Sequence, residues 1–208
     1  MICLRPGGLA LTEEILSFCQ LSQDSAALDI GCGNGETIKY IKEQYNCRVS
    51  GLEPDRARRQ AAQELNPDAE ISNQAAEAMP FADSSFDLVL SECTVSLFTD
   101  VEQALSQIKR VLKPGGKFIL TDVYARLDNN LQAEGLLRHM YTEQQFRDML
   151  AAAGLTISVV KDCGDILKEM LLEMVFEYGR DKAYQMIGLD RCVMKQAGVG
   201  YLMIVAEK

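Results

Sequence analysis

Residues 28–35 read LDIGCGNG, and they constrain the fold more than any other stretch of this chain. An apolar run ends there in three glycines at alternate positions, Gly31, Gly33 and Gly35, and a helical pattern opens at Glu36. Glycine lets the backbone turn tightly and approach a ligand with no Cβ in the way. A second short apolar run, residues 49–52, ends in Glu53, a carboxylate placed to accept both hydroxyls of a ribose. The spacing is G-x-G-x-G, where a dinucleotide turn has G-x-G-x-x-G. Glu36 follows the third glycine directly, and a helix N-terminus meant for a pyrophosphate should not open with a carboxylate. No G-x-x-x-x-G-K-[ST] occurs anywhere. The turn suits a nucleoside without phosphates, and its spacing argues against a nicotinamide-binding module.

Composition narrows the partners. The formal charge of −9 argues against nucleic acid, which needs clustered Lys and Arg. The densest basic cluster, Arg56, Arg58 and Arg59, sits among acidic neighbours on a predicted helix and reads as a solvated face. A small-molecule substrate is therefore expected. No apolar run approaches the roughly 18 residues that span a bilayer, so no membrane partner is expected. The first residues lack a signal-peptide pattern. Seven cysteines, an odd and widely spaced set, point to reduced thiols and a cytoplasmic protein.

Strand-like runs alternate with helical stripes, which implies a parallel sheet covered on both faces. Strands are expected near 26–31, 48–52, 69–72, 86–91, 117–122, 155–161 and 201–206. Val101, Ala104, Leu105, Ile108 and Leu112 form one helical stripe behind the N-cap candidate Asp100. Phe146, Met149, Leu150 and Ala153 form another, opened by a Thr142/Gln145 capping box and closed by Gly154. A single domain over residues 1–208 is expected, with residues 1–24 as an N-terminal segment and helix.

The turn DIGCGNG followed by Glu53 is similar to the first two motifs of class I S-adenosylmethionine (SAM) methyltransferases. Residues 75–89, AAEAMPFADSSFDLV, resemble the third-strand loop and fourth strand of the methyltransferase-11 group. Residues 110–117, RVLKPGGK, match its turn into the fifth strand. The resemblance covers roughly residues 26–160. It implies a Rossmann-like α/β fold with a seven-stranded sheet, its last strand antiparallel, and helices on both faces. It also implies SAM as cofactor and methyl transfer to a small molecule by in-line displacement. For that chemistry the protein chiefly positions the donor and excludes water.

The same resemblance assigns the cofactor residues. Asp29, with Gly31, Gly33 and Asn34, holds the methionine end and the turn, while Glu53, beside Pro54, takes the ribose. The Ala76 backbone N–H meets the adenine. Ala75 stands where many relatives carry an adenine-binding aspartate, which leaves Glu77 or Gln74 as substitutes. Ser91 and Glu92 flank the methionine portion. No metal ligand set is expected.

Between the sixth and seventh strands, where such enzymes usually have a short hairpin, residues 163–199 intervene. So long a connection should carry structure of its own. Residues 166–178 and 183–197 read as helices separated by Gly179, the first apolar almost all round and in need of cover. The insertion leaves the sheet at the carboxyl edge, where open α/β sheets bind ligands. A helical lid over the acceptor pocket, or a homodimer face, is expected.

Three residues are candidates for acceptor chemistry: Cys93, His139 and Tyr124. Residues 91–97, SECTVSL, and 121–124, TDVY, are similar to stretches of arsenite methyltransferases, which hold a soft metalloid on converging thiolates. Cys93 with Cys163 and Cys192, or with Cys3, is the set that alternative requires. Residues 131–138, however, lack the cysteine that this family carries there. Otherwise Cys93 lines the pocket, and Cys19 and Cys32 serve as small buried hydrophobes. His139, the lone histidine, falls after the fifth strand and is a candidate to remove an acceptor proton. Tyr124 and Arg126 lie close to the same region. A SAM-binding protein without catalysis is the remaining alternative.

Overall fold

The computed structural model describes residues 5–127, 139–187 and 191–208, the last without the side chains of residues 191–193. Seven strands form one sheet in the order β3-β2-β1-β4-β5-β7-β6. They are β1 (Ala26–Ile30), β2 (Arg48–Leu52), β3 (Ile71–Ser72), β4 (Phe86–Glu92), β5 (Leu112–Ala125), β6 (Thr156–Asp162) and β7 (Val199–Glu207). The first five pair in parallel, and β7 runs antiparallel between β5 and β6. Every expected strand is present. β5 starts earlier than expected, at Leu112, which pairs with Phe86 before the register shifts.

The helices are α1 (Gly8–Leu16), α2 (Glu36–Tyr45), α3 (Arg56–Leu65), α4 (Val101–Val111), α5 (Glu143–Ala152), α6 (Gly164–Tyr178), α7 (Arg180–Ile187) and α8 (Arg191–Ala197). Their ends follow local chemistry. Asp100 caps α4 by accepting from the Gln103 N–H at 3.0 Å. Thr142 and Gln145 form the reciprocal box that opens α5. The expected helix 183–197 is instead the pair α7 and α8, with residues 188–190 outside the described set.

One apolar layer, with Leu28, Val89, Ile108, Phe118 and Phe146, covers one face of the sheet. The other, with Ile15, Ile38, Ile41, Leu88 and Met203, covers the opposite face. Strands β1, β4 and β7 are accordingly buried along nearly their whole length, while the edge strand β6 is partly exposed.

The glycine turn is locked into this packing. Gly35 sits at φ +83°, and a Cβ there would lie 2.6 Å from Asn66 Nδ2 and 3.0 Å from the Ala62 backbone. Asn66 in turn donates to Gly35 O at 2.9 Å. Gly35→Ala is expected to cost about 2 kcal/mol of stability through left-handed strain and displacement of α3. An unchanged urea midpoint would contradict it.

Candidate cofactor and acceptor site

The carboxyl ends of β1, β2, β4 and β5 open into one cavity of about 650 Å³. Gly31, at φ +71°, passes so close to the segment after β4 that a Cβ would lie 2.4 Å from Thr94 Cγ2. Its N–H and that of Cys32 both donate to Leu52 O, at 2.7 and 3.0 Å. The Gly33 N–H donates to Glu53 Oε2 at 2.9 Å, and Asp55 N–H donates to Oε1 at 2.9 Å. Glu53 is thus buried and fixed at the mouth of the turn. Asn34, Pro54 and the buried Ala76 complete this side of the wall.

Asp29 is 3% exposed and faces the cavity. No hydrogen-bond donor reaches its carboxyl among the described residues. Burial, reinforced by Glu92 and opposed by Arg5, pushes its pKa up to about 7. Glu92 is better served. It accepts from Arg5 Nη1 at 2.6 Å, Thr12 at 3.1 Å and Thr37 at 3.2 Å, while burial pushes its pKa upward. Arg5 also bonds Thr37. This pair joins residues 87 positions apart and has no local sequence signature.

Several expected residues stand elsewhere. Glu77 lines the cavity, but its carboxylate accepts from the N–H groups of Thr99 (2.7 Å) and Asp100 (3.1 Å). Both bonds fall on Oε1 and tie Glu77 to the turn before α4. Gln74 is exposed on the rim. Ser91 is fully buried behind the wall, its hydroxyl 2.5 Å from Thr94 Oγ1. Tyr124 is drawn away from the cavity. Its ring packs where Gly200 of β7 has no side chain, and its hydroxyl donates to Asp162 at 3.0 Å. His139 is exposed and stacked on Tyr141, with ring centroids 5.5 Å apart, and does not line the cavity.

Cys93 does line it. The residue adopts φ +57°, and its sulfur lies 3.1 Å from the Tyr201 hydroxyl, which donates to Thr121 at 2.8 Å. Burial drives the thiol pKa far above its ordinary value, the reverse of what a metal-binding thiolate needs. Cys163 is buried away from the cavity with its sulfur toward Lys161 O, and the Cys192 side chain lies outside the described residues, as does Cys3. Among the described residues, no three His, Cys, Asp or Glu side chains are placed to hold a metal ion.

Asp122 of β5 was not singled out by the sequence. It is 1% exposed, lines the cavity, and accepts from the N–H groups of Ser96 and Val123, each at 2.8 Å. Burial outweighs those bonds and raises its pKa to about 6. The insertion supplies Leu167 and Met170 of α6 and Ile187 of α7 to the same wall. On α6, Leu172 and Phe176 are exposed.

The strand order, the antiparallel β7 and a glycine turn tied to an acidic residue at the end of β2 define the class I SAM-dependent methyltransferase fold. The chain shares that fold, and residues 28–120 match the family described as Methyltransferase domain. It is 34% identical over 109 residues to the sarcosine/dimethylglycine N-methyltransferase of Halorhodospira halochloris, covering 50% of this chain and 39% of that one. Among solved structures it is similar to Haemonchus contortus phosphoethanolamine N-methyltransferase 2 in complex with S-adenosyl-L-methionine. There the TM-score is 0.77 at 20% identity, covering 99% of this chain and 54% of that one. It is also similar to the [4+2]-cyclase SpnF, with a TM-score of 0.75 at 22% identity, covering 95% and 79%. The chain spans about half the length, or less, of the curated relatives it matches first. Among the described residues, no helix is long and apolar enough to cross a membrane.

Proposed function

We propose that the protein transfers a methyl group from SAM to a small-molecule acceptor. When bound, SAM supplies the electrophilic methyl on a sulfonium, and the protein positions and shields it. The observation that carries this is Asp29: a buried carboxylate with no donor among the described residues, facing the cavity beside a glycine turn locked to Glu53. An unpartnered buried carboxylate is costly, and an ammonium satisfies it. Asp29 pairs with the amino group of the methionine end. Arg5, held by Glu92, faces the same region and supplies the complementary cation.

Gly31, Gly33 and Asn34 form the turn under the ligand. Glu53 retains lone pairs on both oxygens for the ribose hydroxyls, and Pro54 and Ala76 border the adenine. Cys93 lines the pocket as a neutral thiol. The insertion acts as a wall or lid, a role supported by Leu167, Met170 and Ile187.

A second reading, a SAM-binding protein without transfer, is favoured by one observation: Ala75 offers no carboxylate to the adenine amino group, and the neighbouring Glu77 is bonded through Oε1 to Thr99 and Asp100. The fold itself does not decide between them. Calorimetry with SAM, followed by S-adenosylhomocysteine release across an acceptor panel, separates the two. Tight binding with no turnover would support the second. Glu53→Ala is expected to weaken SAM by about 1–3 kcal/mol, through loss of charge-assisted hydrogen bonds. Unchanged affinity would show that the ribose lies elsewhere.

A further inference from the structure

The sheet order sorts the cavity into two halves. Glu53 ends β2 and Asp29 lies on β1, so the cofactor half is the β2–β1 side. Crossing β4 at Glu92 and Cys93 leads to β5 and Asp122. The apolar residues of the cavity wall include Val123 of β5, Leu97 of the segment after β4, and Leu167, Met170 and Ile187 of the insertion. Asp122 is the buried charge on the β5 side. Among the described wall residues the cations are Arg5, bonded to Glu92, and the exposed Arg58 near the cofactor half. Neither pairs with Asp122.

We propose that the β5 half of the cavity takes an amine on an apolar body, with Asp122 bound directly to the acceptor nitrogen. This rests on the methyltransferase reading above. The charge that moves in the reaction selects nitrogen. The nitrogen lone pair forms the new N–C bond while the C–S bond breaks and its electron pair stays on sulfur. Positive charge thereby passes from sulfur to nitrogen, and one N–H proton leaves through Asp122 to solvent. A fixed carboxylate beside that nitrogen stabilises the charge as it develops.

The same carboxylate disfavours the alternatives. A phenol or alcohol reacts best as an oxyanion, and an oxyanion beside Asp122 is repelled. A carboxylate or phosphate on the acceptor would be buried against like charge, with no cation paired to Asp122 among the described wall residues. The Ser96 and Val123 N–H groups each bond one oxygen of Asp122 and hold it in place in the cavity wall.

The test uses the full chain loaded with S-adenosylhomocysteine, and octylamine, octan-1-ol and octanoate as matched probes in calorimetry. Octylamine is expected to bind roughly ten-fold or more tightly than the other two. D122N is expected to erase that preference while S-adenosylhomocysteine affinity holds. Equal or undetectable binding of all three probes, or a preference for octanoate, overturns the inference and leaves the cofactor reading standing. A D122N loss confined to SAM would place Asp122 on the sulfonium and also overturn it. Failure of S-adenosylhomocysteine to bind the wild type overturns both readings. The probe series on wild-type protein decides the matter even where D122N fails to fold.

Discussion

Asp29→Asn is expected to stabilise the ligand-free protein at pH 8 by about 1–3 kcal/mol and to weaken SAM binding by roughly 150-fold. Both effects come from one buried carboxylate that has no donor among the described residues and gains one from the ligand. Asp29 titrates near 7 in the fold, against 3.8 for the free side chain. A folded pKa raised above the unfolded one means that stability is greatest below about 4 and is lost as pH rises through about 7. Asp122, raised to about 6, acts in the same direction over a narrower range. The wild type should therefore gain stability as pH falls from 8 towards 5, and Asp29→Asn should flatten part of that slope. Binding of SAM runs the other way: its ammonium favours ionised Asp29, so affinity falls below about pH 7 and uptake of ligand releases a proton. Urea midpoints at pH 5 and 8, with calorimetry in two buffers of different ionisation enthalpy, read all of this. A variant that is equally destabilised at both pH values, or that binds SAM normally, would remove Asp29 from the site.

Arg5→Met should destabilise the fold by about 3–5 kcal/mol, because it strands Glu92 in the interior without its cation. The side chains of Arg5 and Glu92 are 11% and 4% exposed, and two threonine hydroxyls alone cannot replace a guanidinium. The same change removes the positive charge that opposes the upward shift of Asp29, so SAM affinity should fall as well. Arg5→Met combined with Glu92→Gln is the control. If charge burial is the cause, the double variant recovers most of the stability. If it does not, the N-terminal segment matters through packing around Pro6 and Leu11, and the electrostatic account fails.

The sequence displayed its cofactor half openly and its acceptor half poorly, for a physical reason. Gly31 and Gly33 belong to a short local pattern in which the positive φ itself calls for glycine, and Glu53 stands at the end of the next short apolar run. Helix caps such as Asp100 and Thr142 are local in the same way, and the structure places both as expected. Tyr124 was misplaced because its position depends on an absent side chain in a strand 76 residues later, at Gly200. Arg5 and Asp122 were passed over because their roles arise from tertiary burial, which no neighbouring residue announces. Glu77 looked free until the fold brought Thr99 and Asp100 onto it.

The position of β7 has a consequence for how the molecule is made. It pairs with β5 along one side and β6 along the other, yet it follows the whole insertion in sequence. As the chain is synthesised, β1 to β5 can assemble from short-range parallel units, giving the nucleotide half of the cavity its full frame. β6 and the apolar α6 have no sheet edge to join until β7 is in place. A nascent chain would thus be able to hold its cofactor before it could enclose an acceptor, with the oiliest helix waiting longest for shelter.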